Sequence, residues 1–371
     1  MFFWILAYFI STLSITSSFS PNICYRWRRP IFFLKMTSKE SVSSQRQIII
    51  VGAGMAGIAC AHEILAKYKD NDDQTIKVTM LEASDDIGGR VKGDCRFVPG
   101  HIIDLGAEFV HCRGHVLWEY INTFIGKTHG EDDTISIECN EDKFESIFVL
   151  SHADGGPQEE PTSEGKFGMY YVDGELIMYN DPRLESLNES LEALSTKTYN
   201  KEDSMKDALY NVNNTISESL MELAVSSYGN TAGCCDLSKL SIQQLLDFEH
   251  YWEANEEEGD YRPPSTLGMY GIAKAAMQRL EEYKNFELIK CCEVEMIQQD
   301  DHGVLVKTNK SEKQQQIYTS DVIVVTVPPP ILPKIIKDFP ASKTEALAKI
   351  GFERAIKVCS YSFSFHFSTP S

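Results

Sequence analysis

The chain has 371 residues, 43% hydrophobic and 24% charged, a globular composition long enough for two domains. Its formal net charge of −19 at pH 7 argues against general affinity for nucleic acid; it suits either plain solubility or a cationic partner. The ten cysteines form no C-x-x-C and no His/Cys cluster at zinc spacing, so no metal is expected and the thiols read as free in a mostly reducing setting.

The apolar core of the first 20 residues is too short for a comfortable membrane span and ends in small residues, which suits a signal peptide. A basic stretch with Arg26, Arg28 and Arg29 follows, then Ser-rich sequence up to Gln45. Residues 1–45 therefore read as a targeting segment or tail. They resemble a two-part plastid presequence of algae with complex plastids, with Ser18-Phe19-Ser20-Pro21 as the cleavage motif. The alternatives are an N-terminal membrane anchor, or translation from Met36 and a cytosolic protein.

From residue 46 the pattern changes. An apolar β-branched run ends in G-x-G-x-x-G (Gly52, Gly54, Gly57), a helical stretch covers 58–68, and a second apolar run, 76–81, closes on Glu82. Strand, glycine turn, helix, strand and acid form the layout of a dinucleotide-binding unit. Gly52 permits the tight turn, Gly54 lets the backbone approach a pyrophosphate, and Gly57 lets the helix pack on the strand. The helix N-terminus offers N–H groups to the phosphates, and Glu82 stands where a ribose hydroxyl is held. The alternative is a glycine-rich turn in another α/β protein. Thirty residues separate Gly52 from Glu82, against about 20 in the plain unit, and polar residues 67–74 read as a loop insertion.

Gly88-Gly89-Arg90 follows Glu82 by six residues, and Asp104-Leu105-Gly106-Ala107-Glu108-Phe109-Val110-His111 comes later. Together these resemble the FAD-dependent amine oxidase family, which includes monoamine and polyamine oxidases. The resemblance implies an α/β fold: a Rossmann-like FAD-binding domain with an inserted α+β substrate domain. It implies FAD as cofactor, with Gly88, Gly89, Arg90, Gly106, Ala107 and Glu108 beside it; Glu108 alternatively reads as a satisfied buried carboxylate. Ser84 replaces the family's arginine after the acid, and Cys112 replaces the glycine after the histidine.

Farther along, 184–194 and 204–228 read as amphipathic helices within a substrate part covering 113–261, and acids crowd into 131–165. The cofactor part, 46–112, resumes over 262–328. It begins with a glycine-flanked helix at 272–280, then short strands at 286–290, 294–298 and 304–308. The resemblance puts the Val294 backbone against adenine. Residues 321–328 read as a buried strand and match a family signature, with Pro329 and Pro330 in place of Leu-Gly; residues 329–371 return to the substrate part.

Two residues are expected to serve chemistry. Lys357, in a segment where Glu353 replaces a family glycine, matches the lysine that reaches flavin N5 through a water. A cation there favours an electron-rich reduced flavin; on spacing alone Lys357 also reads as a strand lysine facing solvent. His111 matches a position that carries His or Glu in polyamine oxidases, facing the substrate cleft. There an imidazole helps keep the amine neutral, the form that gives up a hydride; the alternative is a structural histidine.

The implied reaction is oxidation of an amine, a polyamine in view of His111 and the acidic balance. A hydride passes to FAD, O2 is the acceptor, and the products are an aldehyde, an amine and hydrogen peroxide. The partners implied are a small-molecule amine and O2, with no nucleic acid and no stable membrane span beyond the N-terminal segment. Ser371 lies fourteen residues after Lys357, while family members continue through a G-E-x-T-like segment, so the chain reads as C-terminally incomplete. Two other readings stand beside this one: another flavoenzyme on the same scaffold, carotenoid desaturase-like or protoporphyrinogen oxidase-like, and an inactive flavoprotein-like binding module.

Overall fold

In a computed structural model of the chain, the described residues are 45–68, 76–111, 116–129, 134–141, 144–149, 151–152, 169–178, 180–224, 236–253, 260–263, 266–300, 303–310 and 314–351. Residues 1–45, read from the sequence as a targeting segment or tail, therefore lie outside the described residues but for Gln45.

A parallel sheet organises the cofactor side. Its strands are β1 (Arg46–Val51), β2 (Ile76–Leu81), a strand at Phe286–Ile289 and one at Val322–Val325. Arg46 pairs with Ile76, Phe286 with Val78 and Ile48 with Val322, so β1 and β2 are central. A helix, α1 (Met55–Tyr68), joins β1 to β2. After β2 come the hairpin β3 (Gly93–Val98) and β4 (His101–Asp104), then α2 (Val116–Phe124) and α3 (Gly268–Glu281). The Phe286–Ile289 strand is β5. An antiparallel meander follows, β6 (Cys292–Asp300), β7 (Gly303–Lys310) and β8 (Gln314–Ser320), and Val322–Val325 is β9.

The period-2 alternation of strand side chains explains the layers. Ile48 and Ile50 of β1 and Val78 and Met80 of β2 face one way, into a core with Ile58, Ala61 and Leu65 of α1 and Ile272, Ala276 and Leu280 of α3. Ile49 and Val51 face the other way and meet Val294, Ile297, Val304 and Val306 of the meander. Both faces are covered, which is why β1 is an unbroken apolar run. Each such isoleucine contributes about 1.5–3 kcal/mol by leaving water.

A second core is built from the hairpin Met169–Val172/Glu175–Met178 and the helices Pro182–Ser195, Met205–Val212, Glu218–Ala224 and Ile242–Glu253. Asp181 caps the first helix, accepting from the Arg183 N–H at 2.9 Å, and Ser204 caps the second, accepting from the Asp207 N–H at 3.1 Å. By contrast α2, placed by the sequence in the inserted part, sends Tyr120 and Ile121 into the α1–α3 core.

Several sequence expectations shift, α3 among them, which begins at Gly268 and not at residue 272. α1 begins at Met55, inside the glycine motif. The helix expected over 204–228 is, up to residue 224, two helices with an Asx-turn between them, and 225–228 lie outside the described residues: Asn213 is extended (φ −145°) and its Oδ1 accepts from the Thr215 N–H at 3.0 Å. The hairpin β3–β4 and strand β8 were not among the expected elements; their polar residues carry little apolar alternation.

Candidate cofactor site

Three backbone segments stack where β1, β2 and α3 converge. The first is the glycine loop. Gly52 turns at φ +102° and donates to the Leu81 carbonyl at 2.8 Å. A Cβ on Gly57 would stand 2.0 Å from the Gly52 carbonyl oxygen, so only glycine admits this approach of α1 to β1. Thr326, just past β9, fastens the turn by donating to Val51 O at 2.8 Å. The first helical bond runs from the Ile58 N–H to Gly54 O at 3.0 Å. The N–H groups of Met55, Ala56 and Gly57 therefore have no intrahelical acceptor and form the positive end of α1.

The second segment, Gly88-Gly89-Arg90, lies on the first. Gly88 donates to Ala53 O at 2.8 Å, and the nearest atoms to a Cβ on Gly54 would be Gly88 O at 3.9 Å and Gly89 Cα at 4.0 Å. The third segment lies on the second. Ala107 donates to Arg90 O at 3.3 Å and Leu105 to Lys92 O at 2.7 Å, while a Cβ on Gly106 would stand 1.8 Å from Arg90 O. Gly89, Arg90, Gly106 and Ala107 are exposed and Glu108 is half-buried.

Glu82, the residue after β2, is half-buried. Its Oε2 accepts from the Ala53 N–H at 2.7 Å, and its Oε1 accepts from the Ser84 N–H at 2.9 Å and the Ser84 hydroxyl at 2.8 Å. Ser84 thus orients the acid. β6 is laced to the same corner: Cys292 donates to Glu82 O at 2.8 Å and Cys291 to Ser84 O at 2.9 Å. Val294 is buried two residues on, next to a bulge that sets Val294 opposite Thr308 and Met296 opposite Lys307. Gly52, Gly54, Gly57, Glu82, Gly88, Gly89, Arg90, Gly106, Ala107 and Val294 are therefore linked, directly or through one strand.

Asp104 escaped the sequence reading as a site residue. Its carboxylate accepts from the Met269 N–H at 2.9 Å and the Tyr270 N–H at 3.2 Å, capping α3 from 165 residues away. Gly268, at φ +58°, leaves room for it, since a Cβ there would come 2.9 Å from Asp104 Oδ1. Asp104's place at the head of the Gly106-Ala107-Glu108 motif was the available signal. His111 lies in a two-residue strand, Val110–His111, paired with Asp260–Arg262. Lys357 lies outside the described residues. Among the described residues no helix is long and apolar enough to cross a membrane.

A parallel sheet with helices on one face and a meander on the other, carrying a glycine loop and a terminal strand acid, defines a dinucleotide-binding protein of the flavoprotein type. Residues 55–360 match the family model for flavin containing amine oxidoreductase, and the chain belongs to that family. It is 37% identical over 85 residues to an L-amino-acid oxidase of Notechis scutatus scutatus, covering 23% of this chain and 15% of that protein. It is 36% identical over 67 residues to a probable polyamine oxidase 4 of Arabidopsis thaliana, covering 18% and 12%. A solved putrescine oxidase, wild type bound to putrescine, has a similar fold: TM-score 0.51 at 17% identity, over 82% of this chain and 63% of that one. In each comparison the match spans less than two thirds of the relative's length.

Family membership makes the cofactor FAD, and the residues present fit it. The side-chain-free backbone at Gly54, the N–H groups at the α1 terminus and the exposed Arg90 suit a pyrophosphate. Glu82 Oε1 already takes two donors from Ser84, while Oε2, with the Ala53 N–H, retains acceptor capacity for a ribose hydroxyl.

Proposed function

We propose that this chain serves flavin-dependent oxidation of an amine with O2 as acceptor, and that the amine is a polyamine. The observation that supports it most is the stack of three segments closing on Glu82, together with membership of the family. When bound, FAD supplies the two-electron acceptor for the carbon beside the amine and passes those electrons to O2, giving hydrogen peroxide. The chain's residues bind and orient. The α1 terminus and Arg90 hold phosphate, Glu82 the ribose, and the 106–108 turn with Glu108 the flavin side.

His111 is assigned to the amine: a neutral imidazole takes the proton that an ammonium substrate must lose before its carbon can give up a hydride. Lys357 is assigned to a water beside the flavin. We assign 46–112 and 262–328 to the cofactor domain, with α2 and Ile335 packed on its cores, and the rest of 113–261 and 329–371 to the substrate domain; the separate apolar core of residues 172–246 supports that division. The net charge of −19 supports a cationic substrate.

A second reading, oxidation of an L-amino acid, is favoured by the relative from Notechis scutatus scutatus. The test measures peroxide release with spermine, spermidine, their acetylated forms, an aromatic monoamine and L-leucine. The polyamines are expected to turn over fastest. Faster turnover of L-leucine or the monoamine overturns the polyamine assignment, and no peroxide from any of them overturns the oxidase reading.

A further inference from the structure

We propose that Tyr270 is a positioning residue for the cofactor, holding the 88–90 and 106–108 segments at their spacing from the first turn of α3. The inference rests on the FAD reading of the site and concerns which residue sets its geometry.

Tyr270 is bonded to both segments at once. Its backbone N–H donates to Asp104 Oδ1 at 3.2 Å, and Asp104 leads directly into Leu105-Gly106-Ala107. Its phenol donates to Asp86 Oδ1. That same Asp86 oxygen accepts from the Ile87 N–H at 2.9 Å, one residue before Gly88. Two carboxylates, 18 positions apart and each at the head of a cofactor segment, thus meet one buried residue that is 6% exposed.

The ring is held as well. A Cβ on Gly93 would fall 2.7 Å from Tyr270 Cβ, so Gly93 lets the tyrosine lie against the base of β3. The Lys274 ammonium stands over the ring, 5.0 Å from its centroid. A phenol buried this way must find an acceptor, and an ionised carboxylate is a strong one. Between Glu82 and Gly88 the chain is exposed at Ala83, Ser84 and Asp85; backbone bonds tie Ser84 to Cys291 and Gly88 to Ala53, and the Asp86 bond adds the link from this stretch to α3.

A merely structural tyrosine would support the fold without tuning cofactor affinity. Tyr270→Phe separates the two roles, because it keeps the ring, the packing on Gly93 and the backbone bond to Asp104. FAD affinity of the 371-residue chain is read by titration of flavin fluorescence, the environment of bound flavin by visible circular dichroism, and stability by thermal unfolding of the apoprotein. Tyr270→Phe and Asp86→Ala are each expected to weaken FAD binding about tenfold, equivalent to about 1.4 kcal/mol of positioning. The dichroism of bound flavin should change while the apoprotein melts as wild type. Asp86→Asn keeps an acceptor and should restore binding.

Wild-type affinity in Tyr270→Phe overturns the proposal. So does an affinity loss that only follows a matching loss of apoprotein stability, or an Asp86→Asn variant as weak as Asp86→Ala. A wild-type chain that takes up no FAD overturns the FAD reading itself, and this inference with it; the variants alone decide the inference when the wild type binds.

Discussion

Acid should loosen this fold through one buried histidine. His62, on α1, is 2% exposed, its Nδ1 lies 2.6 Å from the Tyr120 hydroxyl, and its ring stacks on Phe124 with centroids 5.0 Å apart. Burial holds the imidazole's pKa down at about 4, against an ordinary 6.5, with the Ala276 backbone opposing the effect. The unfolded chain therefore binds a proton that the folded chain refuses between about pH 6.5 and 4. Stability rises with pH across that window and is lost as pH falls through it, reaching its full loss below the folded pKa. At about 1.4 kcal/mol per pH unit the gap is worth about 3 kcal/mol, a large share of a typical 5–15 kcal/mol stability. Neighbouring Cys60, pushed up to about 11 by burial and by Glu63, and Tyr120, raised by burial, do not titrate in the window. The assay is denaturant unfolding of the apoprotein from pH 8 to 4.5, wild type against His62→Phe. The variant keeps the stack but leaves the Tyr120 hydroxyl without its partner, a constant cost of about 1–3 kcal/mol. The difference between the two proteins should be flat above pH 7 and shrink by up to about 3 kcal/mol on acidification, the shared carboxylates cancelling. Parallel curves would refute the reasoning.

Two further outcomes follow from the site. Gly57→Ala places a methyl 2.0 Å from the Gly52 carbonyl oxygen, backbone against backbone, so α1 must move off β1. A loss at the upper end of the overpacking range, about 3 kcal/mol or more, is expected together with weakened FAD retention. An alanine variant with wild-type melting and flavin content would show that the approach is not required. If Lys357 holds the water assigned to it, Lys357→Met should slow flavin reduction or reoxidation by about 10²–10³ with FAD still bound, the range for one charge-assisted contact at a reacting centre. Rapid mixing separates the two half-reactions, and wild-type rates in both would return Lys357 to the surface.

The cofactor motif was legible because it is local. Gly52, Gly54 and Gly57 lie on one turn, and the apolar run of β1 announces burial on both faces, Ile48 and Ile50 toward the helices, Ile49 and Val51 toward the meander. Glu82 could be placed because a strand end and its following residue are neighbours in sequence. Even there, the start of α1 three residues early depends on the Ile58-to-Gly54 bond, which a pattern of apolar residues does not encode. What only the tertiary structure decided is how distant segments register. Asp104 stands at the head of a family motif and Asp86 just before Gly88-Gly89-Arg90, but neither position names a partner: one caps α3 across 165 positions and the other meets Tyr270 across 184. A carboxylate has the same letter whether it faces water or ends another element's helix, and no periodicity ties it to a partner so far along the chain. Likewise, the two middle places of β1 and β2 in the sheet follow from which helices and strands cover its faces and edges, a property of the packed layers that no single strand carries.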